Sequence, residues 1–300
     1  MLKNYFKTAF RNLARNKVYS FINIAGLSIG LACAMLILLY VKDEVSFDRF
    51  HKNVNNIYRI ARKSNHNDEN GTTGFLQGPR FTQNIPGFKS FVRVQGSSED
   101  IKTGTEVQQQ DGVLSVDSNF FSVFTFPLLS GDPKTCLTEP HSIVLSEDAA
   151  KKYFATTDAV GKLMMIKEDT TFVPYKVTAV AKRCPQNSSI QFDVLLPFKV
   201  SDVDAKDTHN WFNSFLNTFV VLDDKANLQT VEKQMQSFYV ADAKQTFYEM
   251  LKIDGVNPDD ISMGTYFLQP YLDMHLNTEL PVNNGLTNAG NPMYSYLLSG

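Results

Sequence analysis

The 300-residue chain contains only three cysteines and one tryptophan. Cys33 sits inside an apolar run, leaving Cys136 and Cys184 as the one pair that could bridge in an oxidising compartment. A dense disulfide framework is excluded, and two separate buried thiols are expected. Metal and nucleotide signatures are missing as well. The five histidines, His51, His66, His141, His209 and His275, stand far apart, and no H-x-x-x-H, H-E-x-x-H or C-x-x-C pattern occurs. Neither G-x-x-x-x-G-K-[ST] nor G-x-G-x-x-G is present, so the chain itself is expected to hold no nucleotide, metal or other cofactor. No repeat of fixed period and no low-complexity tract is visible.

Charge is absent from residues 18–41, VYSFINIAGLSIGLACAMLILLYV, a run of 24 residues, and acids are absent from the 17 residues before it. A helix rises 1.5 Å per residue, so this run reaches roughly 36 Å, enough to cross a hydrocarbon core of about 30 Å with some tilt. Lys3, Lys7, Arg11, Arg15 and Lys17 precede the run, whereas Lys42, Asp43, Glu44, Asp48 and Arg49 after it nearly cancel. This bias places the N-terminus in the cytoplasm and the rest outside, in the periplasm of a bacterial inner-membrane protein. The whole chain is −2 and residues 1–17 are +5, which leaves −7 on residues 42–300. Such an acidic ectodomain is a poor partner for nucleic acid. A cleaved signal peptide is the main competing reading, with Ala32-Cys33-Ala34 offering small residues. Its apolar region would end after about 7 to 15 residues, and here strong apolarity continues to Val41.

Three segments follow: a basic amphipathic stretch over 1–17, a membrane helix over 18–41 and a periplasmic domain over 42–300, whose size predicts two subdomains. Leu2, Phe6, Phe10 and Leu13 share one helical face beside the basic row, as in a helix held on the inner leaflet by apolar burial and anionic lipid. Within the span, Gly26, Gly30 and Ala34 recur every four residues and leave a groove for another helix.

The ectodomain mixes strand and helix signals, which argues an α+β fold. Apolar alternation marks strands at Ile57 to Arg62, Phe88 to Gln95, Gly112 to Val116, Ser142 to Leu145, Val177 to Val180, Phe192 to Leu196 and Phe219 to Leu222. Helices are expected from Pro79 to Asn84, from Glu147 to Phe154 with Ser146 as cap, and from Asn227 to Tyr239. Ser64 to Gly74 reads as a polar loop.

Three patterns imitate chemistry. Gly26-Leu27-Ser28-Ile29-Gly30 matches the nucleophile elbow G-x-S-x-G, but that motif needs a strand, a sharp turn and a helix, and here it lies inside an apolar helical run. Asp202, Asp204 and Asp207, and the pair Asp223 and Asp224, lack the Gly and terminal Glu of a calcium loop and read as solvated faces. Phe120, Phe121, Phe124 and Phe126 follow Asp117-Ser118 with the spacing of a short capped helix burying its rings. None of this supports an enzyme.

The ordered segments resemble a family. Tyr40 to His51, running into Ile57-Tyr58-Arg59-Ile60, is similar to the junction after the first span of FtsX/MacB-type ABC transporter permeases of Bacteroidota. Val116 to Phe124 with Gly131-Asp132-Pro133, Ser142 to Phe154 with Val160-Gly161-Lys162, Val177 to Val180 with Pro185-Gln186-Asn187-Ser188, and Leu268 to Tyr271 with His275-Leu276 resemble its MacB-like periplasmic core domain. Ala179 stands where that family often has Gly, and Ser189-Ile190 where His often follows Ser. The resemblance implies the N-terminal portion of a permease with further spans after Gly300. It also implies an ABC ATPase on a separate chain, a second permease copy and a periplasmic adaptor as partners, and no catalytic residue. Without it, a single-span membrane sensor or periplasmic binding module fits one span and an acidic domain equally well.

Overall fold

The computed structural model describes residues 2–64, 68–200, 206–253, 255–257, 261–277, 280 and 282–286. Its helical segment up to Ser46 and the domain Phe47–Asn291 are separate compact units. The first contains α1 (Leu2–Arg15) and α2 (Lys17–Ser46). Ser20 closes the break between them, its amide donating to the Asn16 carbonyl at 2.9 Å. α2 is a 30-residue helix with no buried residue, apolar and long enough to cross a membrane. It outruns the uncharged stretch because Lys42, Asp43 and Glu44 are ordinary helix residues and nothing breaks the ladder before Ser46.

The second unit begins with β1 (Ile57–Lys63), β2 (Glu69–Asn70), α3 (Gln77–Asn84), β3 (Phe88–Thr103), β4 (Glu106–Val116), α4 (Phe120–Val123) and β5 (Leu128–Ser130). It continues through β6 (Ser142–Ser146), α5 (Glu147–Phe154), β7 (Leu163–Glu168), β8 (Thr171–Ala181) and β9 (Val194–Pro197). It closes with β10 (Asn217–Leu222), α6 (Leu228–Ile253) and β11 (Thr265–Pro270). The α+β expectation holds. β2 is the exception within the polar loop: Glu69 and Asn70 pair with Lys63 and Arg62.

Strand order separates two modules. β11-β1-β10-β3 is antiparallel throughout, so β1 and β3 run parallel with β10 between them, and β10 and β11 run parallel with β1 between them. With α3 and α6 as the two crossovers, this is a split β-α-β repeated, the ferredoxin-like plan. Everything from β4 to β9 is inserted between its second and third strands. The insertion forms a barrel: β3, β4, β9, β6 and β8 pair in turn, and β7 closes the ring by pairing with both β8 and β3. β3 is long, 16 residues, because its first half belongs to the open sheet and its second half to the barrel.

Both faces of the open sheet are covered, which is why β10 reads as a continuous apolar run. Val220 and Leu222 face α3 and α6 together with Ile60, Phe81, Met235, Tyr239 and the fully buried Trp211. Phe219 faces the other way, toward Ile57, Val92, Phe120, Phe124 and Tyr271. A third cluster, Ile101, Ile143, Leu145, Met164, Ile166, Val177 and Val194, fills the barrel. The edge strand β11 is blunted by α6. Glu232 accepts from the Leu268 amide at 2.9 Å, Gln236 accepts from the Tyr266 amide at 3.2 Å, and the Gln236 amide donates to the Gly264 carbonyl at 3.0 Å.

Local signals explain most element ends. Ser146 Oγ accepts from the Ala149 amide, with Glu147 and Asp148 in the first turn of α5 and Lys151 and Lys152 in the last. Asn227 Oδ1 accepts from the Thr230 amide at the start of α6. That helix runs 14 residues past the expected end at Tyr239, since no glycine or proline intervenes before Gly255. The phenylalanine helix differs from expectation in its cap: no side chain caps α4, and the Asp117 carboxylate pairs with Arg93 instead. Its rings are core, with Phe120, Phe124 and Phe126 all buried.

Gly131, in the Gly-Asp-Pro turn, sits at φ +96°, and a Cβ there would come within 2.4 Å of the Ala179 Cβ and 2.5 Å of the Thr178 carbonyl oxygen. Gly131→Ala is therefore expected to cost about 2 kcal/mol or more, through left-handed strain plus a clash on a buried strand. Thermal unfolding checks it; a loss under about 0.5 kcal/mol would show that the turn relaxes freely.

Candidate functional site

Immediately after α2 the chain enters the domain through residues 47–51, and this segment is held from several sides. Asp48 takes the left-handed conformation, φ +58°, which short polar residues tolerate best. It is 1% exposed. Its amide donates to the Asn187 carbonyl at 2.9 Å. Its carboxylate accepts from the Ser189 amide at 2.8 Å and from the Ser189 hydroxyl at 2.5 Å. Burial pushes the Asp48 carboxyl above its usual range, against the Ser189 hydrogen bonds and the charge of His275, which pull it down.

His51, three residues on, is also buried. Its Nδ1 accepts from the Thr125 amide at 2.9 Å, which assigns the ring proton to Nε2. Nε2 finds no partner among the described residues. The ring packs edge-on against Phe124, Phe126 and Tyr271, with centroids at 5.2, 5.2 and 5.6 Å. Burial in this aromatic cage lowers the His51 pKa to about 3, so the imidazole is neutral. Phe47 stacks on His275 at 3.5 Å, with the ring planes 11° apart. Burial, and then the Asp48 carboxylate beside it, raises the Tyr271 phenol.

The joint thus collects residues from four places in the sequence: the entry at 47–51, Thr125 after α4, Asn187 and Ser189 before β9, and Tyr271 and His275 after β11. All but Thr125 lie in or beside the motifs singled out from the sequence, yet only the fold gathers them. Nothing in the spacing of Asp48 and His275 announces that the carboxylate and the imidazole interact. The cluster has no hydrolytic or metal geometry. Ser189 donates its hydroxyl to Asp48, the neutral His51 is bonded to backbone, and no group of three His, Cys, Asp or Glu among the described residues is placed to hold a metal ion.

The residues proposed from sequence lie elsewhere. Gly26, Gly30 and Ala34 are exposed on α2, where a Cβ at Gly26 or Gly30 would meet no atom within 4 Å. Ser28 sits in the same uninterrupted helix, which rules out a nucleophile elbow. Leu13 is 45% exposed on α1; Leu2, Phe6 and Phe10 are on that helix too, but their side chains lie outside the described residues. His66, Asp202 and Asp204 are also outside them. Asp207 caps a helical turn through the His209 amide, and Asp223 pairs with Lys89 at 3.0 Å. Cys136 and Cys184 are separate, buried, free thiols, each pushed up to about 11 by burial.

One cleft of about 360 Å³ opens beside the β7–β8 turn. Its charged groups answer one another: Lys199 donates to Glu168 at 2.8 Å and to the Tyr175 hydroxyl at 2.9 Å, and Tyr175 donates to Glu168 at 2.5 Å. The Lys199 hydrogen bond, followed by that of Tyr175, lowers the Glu168 carboxyl.

Residues 20–238 match the sequence model of the MacB-like periplasmic core domain. Among solved structures, a domain from Porphyromonas gingivalis described as part of a permease protein aligns with a TM-score of 0.56 at 18% identity, covering 78% of this chain and 95% of that one. The periplasmic region of MacB from Actinobacillus actinomycetemcomitans aligns at 0.44 and 14% identity, over 72% of this chain and 89% of that one. The extracellular domain of the noncanonic ABC-type transporter YknZ from Gram-positive bacteria aligns at 0.44 and 13%, over 71% of this chain and all of that one. No curated protein matches the chain. Since the matched residues span well over half of the sequence, the chain belongs to the MacB-like periplasmic core domain family of MacB/FtsX-type permeases.

Proposed function

We propose that the chain is the permease subunit of an ABC exporter, in which ATP hydrolysis by a separate ATPase chain is turned into movement of the periplasmic domain. The observation that carries this reading is the family match over residues 20–238, to a periplasmic core domain of ABC-type permeases, together with an apolar helix of membrane-crossing length at its N-terminal end.

In this role the protein sits in the bacterial inner membrane with its N-terminus in the cytoplasm, and α1 rests its basic row on the inner leaflet. The stripe Gly26, Gly30 and Ala34 packs against another span, in the same protein or in a second permease copy, and a periplasmic adaptor is a further partner. The chain does no chemistry of its own, and the division of the protein at residues 17 and 41 follows from the same reading.

Gly26→Leu combined with Gly30→Leu fills the groove on α2 without adding charge. In the full-length protein, the pair is expected to reduce recovery of the permease with its ATPase, or with a differently tagged second copy, by roughly tenfold, as loss of one close helix contact implies. Unchanged recovery of both partners would remove the packing role of this face.

A further inference from the structure

The inserted barrel has an open end, and groups of different chemistry meet there. The cleft of about 360 Å³ beside the β7–β8 turn is lined from five of the six strands of the ring, β3, β4, β7, β8 and β9. Its floor is the end of the barrel core, where Ile166, Tyr175 and Leu196 are buried members of that cluster. Barrel mouths that are apolar below and polar at the rim are places where small ligands settle, and the volume lies in the usual range for them.

The rim carries hydrogen-bonding capacity that the protein does not use. Gln95 and Ser115 line the cleft from directly opposite positions on β3 and β4, so their side chains share one wall. Neither side chain has a hydrogen-bond partner among the described residues. Glu99 accepts from the Ser97 hydroxyl at 2.9 Å, through Oε1 alone. On β7, Lys199 Nζ and the Tyr175 hydroxyl both bond Glu168 Oε1, and His141 Nε2 lies 3.6 Å from the same atom. Oε2 of each carboxylate is left to accept from a ligand.

The charges decide which ligand fits. Glu99, Glu168 and Asp169 stand against Lys167 and Lys199 in the lining, an excess of one negative charge, and both lysines are engaged, Lys199 with Glu168 and Lys167 with Asp100 at 3.1 Å. An anion is therefore turned away. An ammonium has donors only, so it would leave the Gln95 amide hydrogens unanswered and would meet Lys199 beside Glu168. A hydroxyl both donates and accepts: it can give its hydrogen to Glu99 or Glu168 and take one from Gln95 or Ser115. Several hydroxyls on one compact ring, with C–H groups to rest on Ile166 and Leu196, answer all four groups at once. We propose that the barrel mouth is a binding site for a neutral saccharide of about one or two rings, held by Gln95, Ser115, Glu99 and Glu168. This goes beyond the exporter reading and does not rest on it.

The test follows the isoleucine and leucine methyl resonances of the full chain in lipid nanodiscs while D-glucose, D-galactose, D-mannose or maltose is added. At least one of these sugars is expected to shift Ile166 and Leu196, with Ile60 and Leu222 of the open sheet unmoved. Half-saturation is expected at about 1 mM, the strength that a few solvent-accessible hydrogen bonds give. Gln95→Ala combined with Ser115→Ala strips one wall at half-buried positions and should weaken that sugar about tenfold. Glu99→Gln, which loses only the charge of one acceptor, should weaken it about threefold and carries the test alone if the double variant does not fold. No shift at Ile166 and Leu196 with any of the sugars at about 50 mM would overturn the proposal. So would affinity unchanged in the variants, or equal or tighter binding of n-butylammonium, butyrate or N-acetylglycinamide, which would assign the mouth to a cation, an anion or an amide. Because neither ATPase nor transport enters, the result is separate from co-purification with the ATPase, which tests the exporter reading.

Discussion

Asp117→Ala is expected to remove about 3 kcal/mol from the unfolding free energy of the domain, the largest single loss among the polar substitutions considered. The carboxylate forms a closed fork with Arg93: Nη2 to Oδ1 at 2.7 Å and Nε to Oδ2 at 3.0 Å, with the Arg93 amide adding a third bond to Oδ2 at 2.7 Å. The two side chains are only 12% and 16% exposed, so solvent does little to screen them. The guanidinium also lies over the rings of Phe198 at 4.7 Å and Phe91 at 5.4 Å. Alanine at 117 would leave that cation largely buried between rings, with the Phe75 carbonyl at 3.4 Å as a weak remaining acceptor.

The cost therefore comes from the stranded partner as much as from the lost bonds, and removing both should recover part of it. Urea unfolding monitored by Trp211 fluorescence reads the effect directly, and the double variant Arg93→Ala with Asp117→Ala completes the cycle. Arg93→Lys should also destabilise, because an ammonium cannot reproduce the fork. A loss below about 0.5 kcal/mol for Asp117→Ala would place this pair with ordinary surface ion pairs.

Acid should weaken the joint through His51. The ring titrates near 6.5 when unfolded and is lowered to about 3 in the folded protein by burial. Below 6.5 the unfolded chain binds a proton that the folded one refuses, so stability falls as the pH drops from that value toward 3. Between neutrality and a pH near 4.5 this amounts to about 2.5 kcal/mol, at 1.36 kcal/mol per pH unit.

Asp48 opposes the change. Its folded pKa is raised, so its contribution is fully present below the unfolded value and is lost as the pH rises. The natural protein therefore shows a shallower acid slope than His51 alone would give. His51→Gln isolates the effect: glutamine can still accept from the Thr125 amide, but does not titrate. The variant should be less stable at neutral pH, yet lose about 2.5 kcal/mol less than the natural protein on acidification to a pH near 4.5. Parallel stability curves for the two proteins between pH 7 and 4.5 would show that the imidazole is not caged.

Much of the architecture was readable because it is written in local terms. A long uncharged run fixes a helix by the cost of exposing backbone to lipid, and Ser146 with its acids and lysines fixes α5 by capping and dipole. Strands with clear alternation or β-branched runs, such as Ile57 to Arg62 and Phe219 to Leu222, were equally plain and lie within observed strands. β7 was not. Leu163-Met164-Met165-Ile166-Lys167-Glu168 is made largely of good helix formers, and it is a strand because its register with β8 and β3 buries Met164 and Ile166 in the barrel. The two-residue β2, the polar first half of β4 and the length of β3 were hidden for the same reason: partners distant in sequence define them.

The sequence by itself determined the long apolar helix, the mixed character of the domain and the family, since each rests on composition, periodicity or ordered motifs along the chain. Only the tertiary structure decided that β4 to β9 form a barrel inserted in a ferredoxin-like sheet, and that Asp48, His51, Ser189, Tyr271 and His275 meet in one joint. Hydrogen bonds and ring contacts act over a few ångströms in space regardless of separation along the chain. The bond from Ser189 to Asp48 spans 141 residues, and nothing in the residues between them encodes it locally.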